Sequence, residues 1–131
     1  MSRILIIDDD PFCRDSLRTV LLKAGHCVDD VEGVDQALEV LGYFPADLVV
    51  SDYRMPNRDG LDLLKALRNK ETAPRVLLLS GHVDSAAEEI AFALGAAAVI
   101  RKPIKRQELI DQVDNALSEE REEKWEPLAL K

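Results

Sequence analysis

The residues best suited to chemistry in this sequence directly follow apolar segments that read as strands. They are Asp8 and Asp9 after the first such segment, and Asp52, Ser80 and Lys102 after three later ones. A carboxylate at the end of an apolar strand is costly to desolvate unless it has a partner or a function. If these segments are neighbours in a parallel sheet, the polar side chains meet at the sheet edge where ligands bind in such folds.

Three carboxylates, one ammonium and one hydroxyl at a single edge suit phosphoryl transfer. Close carboxylates raise each other's pKa unless a cation lies among them, and a set of oxygen ligands favours a hard ion such as Mg²⁺. Asp52 would then be the nucleophile that attacks phosphorus and becomes an aspartyl phosphate. Mg²⁺ and the Lys102 ammonium would neutralise the phosphoryl oxygens, and the Ser80 hydroxyl would donate a hydrogen bond to one of them.

Alternating strand and helix patterns supply the elements that would position these residues. Apolar runs predict strands at Arg3–Ile7, Cys27–Val31, 48–51, 76–79 and 97–101. Apolar residues at helical spacing follow each strand, with the first helix beginning at Pro11 and ending at Gly25. Five strands alternating with five helices predict an α/β fold with a doubly wound parallel sheet.

Local patterns add expectations about turns and helix faces. Asp10 is expected to cap the first helix, and Asp59 with Gly60 reads as a turn in which Gly60 supplies a positive φ. The fourth helix should turn an apolar face to the core, formed by Ala87, Ile90, Ala91 and Leu94.

Length and charge limit the classes of function. The 131 residues suit one domain, and 17 basic against 25 acidic residues leave a formal charge of −8, which disfavours direct binding of nucleic acid. No apolar run is long enough to cross a bilayer or to serve as a secretory signal, so we expect a cytoplasmic protein without membrane contact.

Four segments, ILIIDDDP, SDYRMPNRDG, LLLSG and GAAAVIRKP, resemble the receiver domain of two-component response regulators in their order and in the element ends that they occupy. The resemblance covers about residues 3–118. It implies a flavodoxin-like (βα)5 fold with strand order 2-1-3-4-5, phosphorylated on aspartate by a histidine kinase in the presence of Mg²⁺. The chain would be a phosphoacceptor for phosphorelay signalling and not an enzyme, catalysing at most its own phosphorylation and dephosphorylation.

The resemblance also implies a role for each site residue. Asp52 would be the phosphoacceptor, Asp9 a direct Mg²⁺ ligand and Asp8 an outer ligand through water, with the main-chain carbonyl of Arg54 and the Asp52 carboxylate completing the protein's share of the metal shell. Ser80 would be the switch hydroxyl. Lys102 would bind the phosphoryl group, and its bond to Pro103 would be cis.

Residues 1–118 are therefore expected to form the receiver domain, and residues 119–131 a charged helical extension or linker that stops near Pro127. The resemblance implies a sensor histidine kinase or phosphotransfer protein as partner. It also implies an output domain or target that contacts the face made by helix four, strand five and helix five. A homodimer is a further possibility that the resemblance allows.

One position of the chain departs from the pattern of the family, and two others are positions that vary within it. Val99 stands where receivers usually carry Tyr or Phe, a ring that moves with the switch hydroxyl. Arg54 and His82 occupy positions that tune the rate at which the phosphoryl group is lost in the family.

A second class of function starts from the same acidic run. Asp8 and Asp10 form an Asp-x-Asp motif after an apolar strand, as in haloacid-dehalogenase-type phosphatases, where Asp8 would be the nucleophile and Asp10 the acid/base. Phe12 departs from that motif, and Asp52 would have no role in it. A third interpretation, a receiver-like module that takes no phosphate, is disfavoured because the acidic-site residues are all present.

Overall fold

The computed structural model of the chain describes residues 2–68, 70, 73–81 and 85–129, and side chains as far as residue 118. Within these residues the strands are β1 (Arg3–Ile7), β2 (Cys27–Val31), β3 (Leu48–Asp52), β4 (Arg75–Ser80) and β5 (Ala98–Arg101). The helices are α1 (Pro11–Lys23), α2 (Val34–Val40), α3 (Gly60–Arg68), α4 (Ser85–Ala93) and α5 (Arg106–Ala129). Each strand is followed by a helix, as the apolar patterns predict.

The strands form one parallel sheet in the order β2-β1-β3-β4-β5. This confirms the α/β class and the flavodoxin-like order. The order reverses direction at β1, so the carboxyl ends of β1 and β3 flank the place where a ligand binds in folds of this type. None of the helices in the described part of the chain is long and apolar enough to span a membrane.

Helices cover both faces of the sheet, which is why the central strands are apolar throughout. On one face, α1 and α5 pack on alternate strand residues such as Ile4, Ile6, Leu48 and Val50. On the other, α2, α3 and α4 pack on Leu5, Ile7, Val49 and their neighbours. Each such fully buried side chain contributes about 1.5–3 kcal/mol through removal of apolar surface from water, so the two layers hold the strand ends in fixed register.

The ends of α1 follow the sequence signals. Asp10 is the N-cap, and its Oδ1 accepts a hydrogen bond of 2.9 Å from the Phe12 N–H. This bond is the main cause that lowers the pKa of Asp10. Gly25, with φ of 97°, ends the helix in the left-handed region that suits glycine.

The turn before α3 differs from the prediction. Gly60 is not among the glycines of positive φ, and Asn57 takes that conformation instead, with φ of 71°. Gly60 is the first residue of α3, where an added Cβ would lie 2.8 Å from Leu78 Cδ2 and 3.3 Å from Tyr53 Cα. Glycine is required at this position by close packing and not by backbone conformation.

The apolar face of α4 was also predicted only in part. Ala91 is buried, and Ala87 and Leu94 are half-buried, but Ile90 is 50% exposed. Phe92, one position beyond Ala91, is 46% exposed. The helix therefore buries a narrow stripe of small residues and leaves larger apolar side chains at its surface.

The last helix continues beyond the sheet. Leu109, Val113, Ala116 and Leu117 are buried against the sheet, as predicted. The α-helix then extends to Ala129, two residues beyond Pro127. Proline is expected to disrupt a helix interior, so this end lies slightly further along the chain than the sequence predicts.

Candidate functional site

The strand ends bring the predicted polar residues to one edge of the sheet. Asp52 is the last residue of β3, Ser80 is the last of β4, and Asp8 and Lys102 directly follow β1 and β5. The Lys102 Nζ lies 3.1 Å from Asp52 Oδ1 and 3.7 Å from Asp8 Oδ2. One ammonium group therefore contacts carboxylates from two neighbouring strands.

Asp8 is buried, with 1% of its surface exposed. Its N–H donates to the Val31 carbonyl at 3.2 Å, and its Oδ1 accepts from the Asp10 N–H at 2.9 Å. Its Oδ2 is buried and finds no hydrogen-bond partner among the described residues. Burial is the main cause that raises the pKa of Asp8, and the charges of Asp52 and Asp9 act in the same direction.

Asp8, Asp9 and Asp52 could hold a cation. Each offers a carboxylate oxygen, and these oxygens all lie within 4.8 Å of one another. The Oδ2 of Asp8 is buried, accepts no hydrogen bond from the described residues and has the Lys102 ammonium only at 3.7 Å, so a cation would stabilise its charge. Hard oxygen donors at this spacing, with exposed Asp9 open to solvent, fit Mg²⁺, which keeps several waters when it binds.

Lys102 is fixed through its main chain as well as its side chain. Its N–H donates to the Ser80 carbonyl at 2.8 Å, and the Lys102–Pro103 peptide bond is cis, as the family resemblance implies. Burial opposes the charged ammonium, but the hydrogen bond with Asp52 and the charges of Asp52 and Asp8 outweigh it, so the pKa of Lys102 is raised. The side chain is therefore a cation at neutral pH.

Hydrogen bonds of neighbouring residues and the pairing of β3 with β4 place Asp52 and Ser80. The Ser51 hydroxyl donates to the Asp52 carbonyl at 2.9 Å, and the Tyr53 N–H donates to the Leu79 carbonyl at 2.8 Å. Asp52 is paired in register with Leu79, so Ser80 is one position further along β4, where it is 2% exposed. The predicted hydroxyl thus lies at the same sheet edge as the predicted nucleophile.

The other predicted positions have different outcomes. Arg54 lies in the loop between β3 and α3, and its side chain is exposed. Val99 is half-buried in β5 and packs on the cluster that includes Ala91 of α4. His82 lies outside the described residues.

Arg14 of α1 was missed by the sequence reasoning. Its Nη1 donates to the main-chain carbonyl of Asp8 at 2.9 Å. The available signal was a basic residue about one helical turn beyond the start of the helix that follows an acidic pair. That signal is weak, because most basic residues on a helix are solvated.

A cavity of about 600 Å³ adjoins the site between α1 and the start of α5. Asp8 and Lys102 form its polar end. The rest is mainly apolar and includes Phe12, Leu17, Val20, Ile104 and Leu109. Phe12 is 84% exposed, so a large apolar side chain stands beside the entrance to the site.

Comparison with known proteins gives a consistent match. The family model described as the response regulator receiver domain matches residues 4–114. The transcriptional regulatory protein FixJ of Bradyrhizobium diazoefficiens is 34% identical over 114 residues, which cover 87% of this chain and 56% of that protein. The C4-dicarboxylate transport transcriptional regulatory protein DctD of Pseudomonas aeruginosa is 38% identical over 119 residues, covering 88% of this chain and 25% of that protein.

Solved structures agree with the family match. The signal receiver domain of the putative response regulator NarL from Mycobacterium tuberculosis superposes with a TM-score of 0.82 at 31% identity, covering 89% of this chain and 96% of that one. A CheY-like receiver domain protein from Methanospirillum hungatei, at 24% identity, shares the fold with a TM-score of 0.88 over 94% of this chain and 98% of that one. The chain spans about half the length of FixJ and about a quarter of the length of DctD. These matches give no support to the haloacid-dehalogenase-type alternative.

Proposed function

The chain belongs to the response regulator receiver domain family, and on that premise we propose that Asp52 accepts a phosphoryl group from the phosphohistidine of a partner kinase or phosphotransfer protein. Signalling by phosphorelay is the function of the family, and the residue roles are our assignment. The observation that carries this assignment is the contact of Lys102 Nζ with Asp52 Oδ1 at 3.1 Å, in which Asp52 is one of a cluster of three carboxylates.

The proposed reaction is an in-line displacement at phosphorus. A carboxylate oxygen of Asp52 attacks, a P–O bond forms, and the P–N bond to the donor imidazole breaks with its electron pair leaving on nitrogen. Mg²⁺, held by Asp8, Asp9, Asp52 and the Arg54 carbonyl, would supply neutralising charge to the phosphoryl oxygens.

Lys102 has a different partner before and after the reaction. Its ammonium neutralises the Asp52 carboxylate in the structure described above. Once that carboxylate carries the phosphoryl group, the same ammonium can move to a phosphoryl oxygen with little displacement. Because its pKa is raised, Lys102 stays charged in both states.

Ser80 would convert the new charge into a change of shape. Its buried hydroxyl, at the end of β4, is proposed to donate to a phosphoryl oxygen and so to draw in the segment that follows. The surface that responds is the face of α4, β5 and α5. Ile90 and Phe92, both about half exposed on α4, support this face as a contact for an output domain, a target protein or a second copy of the chain.

The proposal extends to the organisation of the chain. Residues 1–118 would be the phosphoacceptor domain and residues 119–131 a helical extension or linker. The chain would act in the cytoplasm with its phosphodonor, would have no separate substrate to turn over, and would catalyse at most its own phosphorylation and dephosphorylation.

Mass measurement tests the proposal. Incubation of the chain with a small phosphodonor and Mg²⁺ should add the mass of one phosphoryl group, in a bond that is stable to acid and labile to base. Asp52→Asn should add none, and a chelator should prevent addition to the wild type. An equal yield on Asp52→Asn would overturn the assignment of the acceptor.

A further inference from the structure

We propose that Arg14 is a positioning residue for the acidic cluster, acting on the main chain between Asp8 and Asp9. Arg14 is on α1, and its guanidinium reaches the carbonyl oxygen of Asp8 with an N···O distance of 2.9 Å. The arginine side chain is 18% exposed, so this contact is made in a partly desolvated place. Arg14 contacts none of the carboxylates in the cluster by any ion pair found among the described residues.

The carbonyl that Arg14 contacts lies where the sheet hydrogen bonding stops. The Asp8 N–H still donates to Val31 of β2, at 3.2 Å, but Asp8 is already outside β1. Its carbonyl therefore needs another donor, since a buried carbonyl without one is costly. The guanidinium of Arg14 is that donor.

The peptide that contains this carbonyl also contains the Asp9 N–H. Because a peptide unit is planar, fixing the direction of the carbonyl sets ψ of Asp8 and the position of the Asp9 Cα, from which the Asp9 side chain branches. The Asp8 carboxylate is restrained separately, through the Asp10 N–H to Oδ1 contact of 2.9 Å. Arg14 thus restrains the position from which the Asp9 side chain starts relative to the Asp8 carboxylate.

Asp30 of β2 fixes Arg14 in turn. Its Oδ1 lies 3.6 Å from Arg14 Nε, and its Oδ2 lies 3.7 Å from Arg18 Nε. The planar guanidinium can contact Asp30 through Nε and the Asp8 carbonyl through Nη1 at the same time, which a lysine ammonium cannot do. Arg18 shares the Asp30 partner but is 51% exposed, and within the described part of the chain it forms an ion pair with Asp30 only.

This inference rests on the proposed function, because the arrangement it explains is that of the proposed Mg²⁺ ligands. Groups that orient metal ligands typically change metal affinity by about tenfold or more when removed. The direction of the change separates positioning from charge. Loss of a nearby cation alone would strengthen Mg²⁺ binding to three carboxylates, whereas loss of positioning weakens it.

The test measures Mg²⁺ affinity directly. The backbone amide signals of the acidic cluster are followed by NMR during titration with MgCl₂ for the wild type, Arg14→Lys, Arg14→Gln and the control Arg18→Gln. We expect the dissociation constant to rise about tenfold in both Arg14 variants. We expect Arg18→Gln to stay within about twofold of the wild type, because its exposed pair with Asp30 is weak.

A second measurement separates positioning from a general loss of structure. The Mg²⁺ concentration for half-maximal phosphorylation by a small phosphodonor should rise in step with the dissociation constant, while the rate at saturating Mg²⁺ changes much less. Wild-type Mg²⁺ affinity in both Arg14 variants, or tighter binding in Arg14→Gln, would overturn the inference. Failure of the wild type to bind Mg²⁺ would instead overturn the proposed function.

Discussion

Lys102 Nζ lies 3.1 Å from Asp52 Oδ1, in a contact that joins the end of β5 to the end of β3 across β4. The two residues are 50 positions apart in the sequence and meet because their strands are parallel and in register. In this position the ammonium neutralises the Asp52 carboxylate, and under the proposed function it could follow the negative charge when that charge moves to the phosphoryl oxygens.

Lys102→Ala should slow phosphorylation by a small phosphodonor by about 10²–10³-fold, the usual effect of removing one group that stabilises transition-state charge. The measurement is the initial rate of phosphoryl incorporation at saturating Mg²⁺. Lys105→Ala is the matched control, because Lys105 lines the same cavity but is exposed and has no pair with Asp52. Equal rates for the two variants would contradict the role given to Lys102.

Asp9→Ala should abolish phosphorylation that depends on Mg²⁺ while the fold remains intact, because Asp9 is exposed and contributes a proposed metal ligand. Its free energy of unfolding should be equal to that of the wild type or slightly higher, since one of three close negative charges is removed. The rate of phosphorylation with Mg²⁺ present checks the first expectation. Denaturant unfolding, carried out in a chelator, checks the second. Undiminished labelling at ordinary Mg²⁺ concentration would exclude Asp9 as a ligand.

The pH dependence of stability should show the burial of Asp8. Its pKa is raised in the folded protein above the usual 3.8, so the folded state binds this proton more tightly than the unfolded chain does. The ionised side chain therefore lowers stability at neutral pH, and this cost disappears as pH falls through the raised pKa and below 3.8. The pKa of Lys102 is also raised, so stability falls with rising pH here too, but the charged ammonium stabilises the fold at neutral pH and this contribution is lost only as pH rises through the raised pKa.

Asp8→Asn keeps the oxygen that accepts from the Asp10 N–H but cannot ionise. In a chelator it should be more stable than the wild type at neutral pH, and the difference should shrink as pH is lowered. Denaturant unfolding at several pH values measures that difference. A difference that stays constant with pH would show that ionisation of Asp8 is not its cause.

Gly60→Ala should destabilise the fold by about 1–3 kcal/mol, the usual cost of forcing extra volume into a packed place. The added Cβ would lie 2.8 Å from Leu78 Cδ2, which can shift, and 3.3 Å from backbone of Tyr53, which cannot shift easily. Gly81→Ala is the control, since no atom of the described residues lies within 4 Å of its added Cβ. If denaturant unfolding shows the same loss of stability in both variants, close packing is not the reason that position 60 requires glycine.

Because residue 99 is valine, the structural change of β5 on phosphorylation should be small. A branched aliphatic side chain has a stiff χ1 and less bulk than a ring, so it should stay packed against the cluster that includes Ala91 in both states. Amide hydrogen exchange across residues 85–104, with and without a phosphoryl mimic, should change more in Val99→Tyr than in the wild type. Val99→Leu controls for bulk. A larger response in the wild type, with nothing added by Val99→Tyr, would contradict this account.

Much of the fold could be predicted because it depends on local patterns. Strands such as Arg3–Ile7 are apolar throughout because helices cover both faces of the sheet, and this property is visible in the sequence. That the polar residues lie close together could be predicted for the same reason. Asp52 and Ser80 end apolar strands, and parallel strands place their carboxyl ends together.

The features that were missed depend on neighbours that are distant in the sequence. Gly60 is required by contact with Leu78 of another strand, and the role of Arg14 is defined by a main-chain atom of Asp8 and by Asp30 of β2. The exposure of Ile90 reflects how α4 is rotated on the sheet, which its own apolar spacing does not determine. Such properties appear only when the elements are packed.

The location of the phosphoryl group tests the central claim most directly. After reaction with a small phosphodonor and Mg²⁺, reduction with borohydride converts a phosphorylated aspartate to homoserine, and peptide mass spectrometry then identifies the position. The account predicts conversion at Asp52 alone. Conversion at Asp8, with Asp52 unmodified, would contradict it and would return the chain to the phosphatase-type chemistry that the Asp8 and Asp10 motif also allows.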